Sequence, residues 1–214
     1  MIYLEETFNL MPASPETMDI FVEFAQEKLV PSSQRLGGRL VAAWYSDAEV
    51  FAQVMHVSEF DDLAALGTFR ARAADDEAWA ACARRLEELA PVRRSRLMEG
   101  LSPVPPETTR AAAAQSAESP LGAYSLAILE VNPGMMPQFI SGLEASAKAF
   151  PIVANWRTVV GKQNEVTDVW KGAFGQAGYK PADEGTKQFF RWVRELAPRE
   201  RLLIVYPLPY SPLR

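Results

Sequence analysis

The sequence predicts an α+β fold: two tandem ferredoxin-like βαββαβ units whose antiparallel sheets pack face to face as a pseudo-dimeric α/β barrel. Three observations carry this. First, the chain repeats itself. LVAAWYSDAEVFAQVMHV (40–57) aligns without a gap on IVANWRTVVGKQNEVTDV (152–169), placing Trp44 on Trp156, Val54 on Val166 and Val57 on Val169. PETMDIFVEF (15–24) likewise matches PGMMPQFISG (133–142), with Pro, Met and Phe in register. Second, each copy reads strand, helix, strand, strand, helix, strand, the order in which helices cover one face of a four-stranded antiparallel sheet. Third, one such unit leaves its other sheet face bare, and an apolar face must be buried against something. Two copies in one chain can cover each other and enclose a cavity.

The elements follow in order. IYLEETFN is an alternating strand. Pro15-Glu16 suits the first turn of a helix, where proline's fixed φ and missing N–H cost nothing. That helix carries Ile20, Phe21, Phe24 and Leu29 at three- and four-residue spacing, an amphipathic stripe. Gly37-Gly38 ends it, because glycine reaches the left-handed conformation that follows a helix C-terminus. Alternating runs over about 39–46 and 50–58 form a hairpin around Ser46-Asp47-Ala48-Glu49. Asp61 and Asp62 start further helical sequence that continues through EAWAACARRLEELA, and RRSRLMEG closes the unit as an edge-like strand. The second copy runs YSLAILEV, a helix over about 134–149, strands near 152–160 and 163–171, the helix EGTKQFFRWVRELA and the strand RLLIVYPL. The chain therefore divides into a first unit at 1–100, a Pro/Ala-rich linker at 101–121 and a second unit at 122–214. GAFGQAGYKPADEG (172–185) has no periodicity and reads either as a flap over a pocket or as an ordinary surface loop.

Composition excludes several functions. The apolar fraction of 48% and charged fraction of 23% are those of an ordinary globular chain. A net charge of −5 denies the basic face that nucleic acid requires. No apolar run approaches the roughly 18 residues needed to span a bilayer, and MIYLEETF lacks the basic and apolar regions of a signal peptide. Neither nucleic acid nor membrane is an expected partner. The single cysteine, Cys82, cannot form an internal disulfide, which fits a cytoplasmic setting; on its helix it reads as a small buried residue. One histidine and one cysteine rule out zinc sites that draw on several such ligands, and neither GxxxxGK[ST] nor GxGxxG occurs. No metal and no cofactor is expected.

The segment from Gly37 to Gly100 resembles the NIPSNAP family, a branch of the dimeric α/β-barrel superfamily. The likeness rests on Gly37-Gly38 before an aromatic strand, Gln53-Val54-Met55-His56, the aspartate-started helix, the Asp-x-x-Trp of Asp76 and Trp79, and the basic strand before Gly100. It covers most of 1–100 and, more faintly, 122–206. It implies the barrel fold and a small-molecule ligand. The wider superfamily includes cofactor-free monooxygenases, polyketide cyclases, haem-handling enzymes and decarboxylases, so the fold does not choose a reaction. Two departures stand out: Ser58 replaces an aromatic usual in the family, and the second copy has Asp168 where the first has His56.

Strand alternation places Val54, His56 and Ser58 on one face and Gln53, Met55 and Val57 on the other. The second set reads as the helix-packing face, which turns His56 and Ser58 into the barrel. His56, titrating near pH 6.5, is then the candidate catalytic acid/base; the competing reading is a structural imidazole satisfied by one hydrogen bond. Trp44, Tyr45 and Trp156 are candidate pocket aromatics, or ordinary core. Asn155 and Arg157 share a face beside Asp168, and an Arg157–Asp168 pair reads as a structural ion pair or a ligand-orienting clamp. The functional expectation is a small-molecule-binding protein, or a cofactor-independent cyclase, monooxygenase or isomerase, for a small hydrophobic, aromatic or polyketide-like ligand. The alternatives are a non-catalytic interaction protein with a side-chain-filled barrel, and a haem-associated protein with His56 as axial ligand. Further pairing into a homo-oligomer is left open by the sequence.

Overall fold

The computed structural model describes residues 1–146, 149–173 and 183–214. Most of the predicted flap at 172–185 lies outside the described residues. The first unit runs β1 (Ile2–Asn9), α1 (Pro15–Phe24), a π-helical turn (Ala25–Leu29), α2 (Val30–Leu36), β2 (Arg39–Ser46), β3 (Gln53–Phe60), α3 (Leu63–Ala74), α4 (Glu77–Leu89) and β4 (Val92–Gly100). After α5 (Pro106–Glu118), the second unit runs β5 (Tyr124–Glu130), α6 (Met136–Ser146), β6 (Ile152–Val160), β7 (Glu165–Lys171), α7 (Glu184–Leu196) and β8 (Arg199–Pro207). Helix starts follow the side-chain chemistry of capping, in which an oxygen accepts from an otherwise orphaned N–H. Ser14 accepts from the Thr17 N–H, Asp62 from Ala65, Asp76 from Trp79 and Asp183 from Thr186. Gly37 ends α2 at φ 111°.

All eight strands close into one antiparallel barrel in the order β1-β3-β2-β8-β5-β7-β6-β4. The two units are joined at two seams. At one, β4 pairs with β6 from Leu97↔Val160 to Gly100↔Trp156; at the other, β2 pairs with β8 at Trp44↔Pro207 and Tyr45↔Tyr206. The strand predicted as edge-like, β4, is therefore paired on both sides, with β1 and β6. Closure removes the unpaired edges an open sheet would expose. The duplication shows in the defects as well as the pattern. Both second strands carry a register shift, between Leu40 and Ala42 in β2 and between Ile152 and Ala154 in β6, at positions the sequence repeat equates. Phe21 and Phe139, equated by the helix repeat, are both fully buried.

The lumen is a core of its own, built from Tyr3, Trp44, Met55, Val57, Met98, Tyr124, Leu126, Trp156 and Val205. Outside the ring, Phe8, Val54, Phe21, Cys82 and Leu86 pack under the first unit's helices. Val166, Leu129, Phe139, Leu143 and Val193 do the same in the second. Cys82 is buried, as its helix position predicts.

The predicted linker is largely the helix α5, and it closes an end of the barrel. Its neighbours are β2 and β6, which lie on opposite sides of the ring; a helix touching both must cross an opening. Ala112 of α5 joins the lumen core, and the Thr109 hydroxyl donates to the Val153 carbonyl at 2.7 Å. The segment after β8 completes the seal. Leu213 packs into the same core, the Leu213 N–H donates to the Val41 carbonyl, and the Arg214 N–H donates to the Ser116 hydroxyl of α5.

Candidate functional site

With one end sealed and filled by Tyr3, Trp44, Tyr124 and Trp156, the open space lies at the other. A cavity of about 220 Å³ occupies that mouth, beside the β2–β3 hairpin. Its apolar wall is Met55, Ile128 and Leu203, and its polar wall includes Glu5, Arg94, Arg96, Glu165 and Arg201. Strand parity explains the composition: Glu5, Met55, Arg96 and Leu203 lie on the same side of their strands as Tyr3, Val57, Met98 and Val205 of the lumen core.

Arg96 is the centre of this wall. Its Nε and Nη2 donate to both carboxylate oxygens of Glu5 at 2.9 and 2.7 Å, and its Nη1 donates to Glu165 at 3.3 Å. Thr158 and Thr167 accept from it at 3.4 and 3.2 Å. Burial opposes its charge, but Glu5 and Glu165 outweigh that and hold the guanidinium above its ordinary pKa. Arg201 ion-pairs with Glu49 at 2.9 Å across the mouth. Arg94 has no ion pair or hydrogen bond among the described residues, so one cation at the mouth is uncommitted.

The predicted orientation of His56 and Ser58 is reversed. Met55 and Val57 belong to the lumen core, so His56 and Ser58 face the helices. His56 is 5% exposed and sits against the rings of Phe8 and Phe21. Its Nε2 shares a hydrogen bond with the Tyr210 hydroxyl at 2.8 Å. Burial pushes its pKa down to about 3, so the ring is neutral at neutral pH. The void that it and Ser58 line is about 20 Å³, room for about one water. The inversion has a physical cause. Both faces of β3 are buried, and the mouth of the lumen carries charged side chains, so polarity points the wrong way.

The other expected residues divide between the two faces. Trp44 and Trp156 do face the lumen, at its sealed end, and Trp156 packs on Tyr3 at 5.2 Å. Tyr45 faces outward and stacks on Tyr206 at 5.3 Å. Asn155 donates to Asp168 on the outer face, and burial raises the Asp168 pKa to about 7. The anticipated Arg157–Asp168 pair does not form. Arg157 is opposite Val166 rather than Asp168, and it ion-pairs with Glu99 of β4 at 2.5 Å. A signal for the missed residues lies in the alternation of Glu5 and Thr7 against Leu4 and Glu6 on β1. The basic run of β4 was legible too, but which of its arginines points inward depends on closure.

Among the described residues no helix is long and apolar enough to cross a membrane, and no group of three or more His, Cys, Asp or Glu side chains is placed to hold a metal.

The NIPSNAP family model matches residues 9–102. No curated protein matches the chain. Among solved structures, an uncharacterized NIPSNAP domain protein from Burkholderia xenovorans is 19% identical, with a TM-score of 0.44; the match covers 49% of this chain and 99% of that one. Two matches run through both units. A protein described as a candidate monooxygenase from Fusobacterium nucleatum is 9% identical over 97% of this chain and 92% of its own, with a TM-score of 0.64. An anthrone oxidase-like protein is 13% identical over 100% and 94%, with a TM-score of 0.56. At these identities the likeness shows the fold, an eight-stranded α/β barrel. Residues 9–102 match the NIPSNAP family model, and that segment forms one half of a barrel closed by a second unit of the same plan.

Proposed function

We propose that the chain binds a compact organic anion, of the size of one ring with a carboxylate, in the mouth of the barrel. The observation that carries this reading is the uncommitted Arg94 beside an apolar wall in a cavity of about 220 Å³. That volume exceeds the roughly 150 Å³ that accommodates benzene in an engineered protein cavity. It falls short of the roughly 300 Å³ at which pockets for drug-sized ligands begin, which favours a single ring over a fused polyketide. Met55, Ile128 and Leu203 would take the apolar body. Arg96 is more than offset by Glu5 and Glu165 and would polarise the site without supplying positive charge, leaving Arg94 to meet the anion.

In this reading His56 stitches the structure together and does not act as an acid/base, since its void of about 20 Å³ has room for no substrate. The same void is too small for a macrocycle, which weighs against the haem-associated alternative. The filled-barrel alternative describes the sealed end and not the mouth. The fold shared with the monooxygenase-like and anthrone oxidase-like structures is compatible with an enzyme acting on such a ligand.

The test is calorimetric titration of the full chain with benzoate and other single-ring carboxylates. Arg94→Gln is expected to weaken binding by about tenfold, the worth of one charged hydrogen bond. The absence of saturable binding, or equal affinity in native protein and Arg94→Gln, would overturn the proposal.

A further inference from the structure

A second site lies on the outside of the first unit. A groove of about 390 Å³ runs between α3, α4 and strands β1 and β4, lined by Leu4, Glu6, Phe69, Arg70, Ala73 and Trp79. It is distinct from the barrel mouth, because Leu4 and Glu6 stand on the opposite face of β1 from Glu5 and Thr7. The Asp-x-x-Trp segment builds its wall. Asp76 caps α4 by accepting from the Trp79 N–H at 2.7 Å, and Arg35 clamps the same carboxylate with bonds of 2.6 and 2.8 Å. Trp79 then meets Phe69 edge-on at 5.4 Å. Both rings are fixed before any ligand arrives, which lowers the ordering cost of binding.

The charges in this groove are unusual. Glu6 is partly buried, and neither it nor Arg70 makes a hydrogen bond or ion pair among the described residues. Burial pushes the Glu6 carboxyl above its ordinary pKa, and Arg93 and Arg70 each act to lower it. Both arginines are thus within electrostatic reach, and an ammonium docked on Glu6 would further favour its ionised form. An acid and a base thus face one apolar groove, separated by more than the 4 Å of a salt bridge. A lone cation would meet the field of the arginines, and a lone anion that of Glu6. A molecule carrying both charges satisfies each.

We propose that this groove binds an apolar zwitterion of the α-amino-acid type, with its ammonium on Glu6, its carboxylate on Arg70 and its side chain against Phe69 and Trp79. The ammonium adds a favourable contact with the aromatic faces.

The experiment titrates the full chain with L-phenylalanine, 2-phenylethylamine and 3-phenylpropionate. Native protein is expected to bind the zwitterion at least about tenfold more tightly than either single-charge analogue. Glu6→Gln should erase the preference over the acid, and Arg70→Gln the preference over the amine. The titrations are repeated in an Arg94→Gln background, which removes the uncommitted cation of the barrel mouth. Preferences still read there belong to the groove, so a failure of the mouth reading is distinguishable from a failure of this one. The proposal is overturned if L-phenylalanine shows no saturable binding, if Arg70→Gln preserves the preference over the amine, or if the preference for the zwitterion disappears in the Arg94→Gln background. Arg70 is exposed, so its variant decides the matter even if Glu6→Gln fails to fold.

Discussion

The His56 imidazole and the Tyr210 hydroxyl are 2.8 Å apart, joining the third strand of the first unit to the segment that follows the last strand of the second. The contact is one of several that hold that segment down. The Leu208 N–H donates to the Ala43 carbonyl, and the Ser211 hydroxyl accepts from the Ala43 N–H. Tyr210→Phe keeps the ring packing and deletes the bond, leaving a buried imidazole nitrogen unpaired. The expected loss is about 1–3 kcal/mol of stability, measured by urea denaturation. A change near zero would show that water replaces the hydroxyl.

His56 should also make the fold sensitive to acid. Its folded pKa of about 3 lies below the ordinary 6.5, so between those values the unfolded chain binds the extra proton. Stability is then fully present above about pH 6.5 and falls as pH drops, by at most about 1.4 kcal/mol per pH unit. His56→Gln removes the titration. The difference in stability between native protein and variant should shift in the variant's favour from pH 6.5 downward. A constant difference across that range would mean that the ring is hydrated in solution.

Asp168 works in the opposite sense. Its folded pKa is raised to about 7 from 3.8 by burial, so the folded state holds the proton longer. Its contribution is intact below about pH 3.8 and is lost as pH rises towards 7, again by at most about 1.4 kcal/mol per unit. Asp168→Asn should therefore gain on the native protein as pH climbs from 4 to 7 and hold that gain above. Parallel stability curves would contradict the buried-acid assignment. His56 and Asp168 occupy the same position in the duplicated hairpin, so between about pH 4 and 6.5 their slopes offset each other.

Arg96 is expected to be the most sensitive residue of the mouth. Removing it as Arg96→Ala leaves Glu5 and Glu165 facing one cavity without their shared cation, at a cost of about 3–5 kcal/mol. Arg96→Lys should recover only part of this, because an ammonium cannot reproduce the two-pronged bond to Glu5. Thermal unfolding of the three proteins checks both statements; equal stability of Arg96→Lys and native protein would refute the second.

Much of the architecture was legible from periodicity. The repeat of Trp44 on Trp156, the spacing of Phe21 and Phe24, and the capping aspartates 62 and 76 all express local rules, and local rules survive in a single sequence. The direction in which the strands face did not follow from them. Alternation separates His56 from Met55 but does not say which one looks inward, and the usual cue, polar residues towards water, fails in a closed ring. Around β3 the helices bury the outer face as closure buries the inner one. The shifts at Leu40–Ala42 and Ile152–Ala154 disturb the alternation again. The Arg96 cluster was beyond reach for a related reason: Glu5, Arg96 and Glu165 come from three strands, two of them in one unit and one in the other. Nothing in a linear pattern says that they meet.

The helix α5 gives the barrel a traffic rule. With that helix and the segment around Leu213 across one end, the described residues form a cup that opens at the other. An occupant has to leave the way it came, and a second one waits until it has. Any chemistry performed there would proceed one guest at a time, with departure past Arg94 and Arg201 as the step through which every cycle must pass.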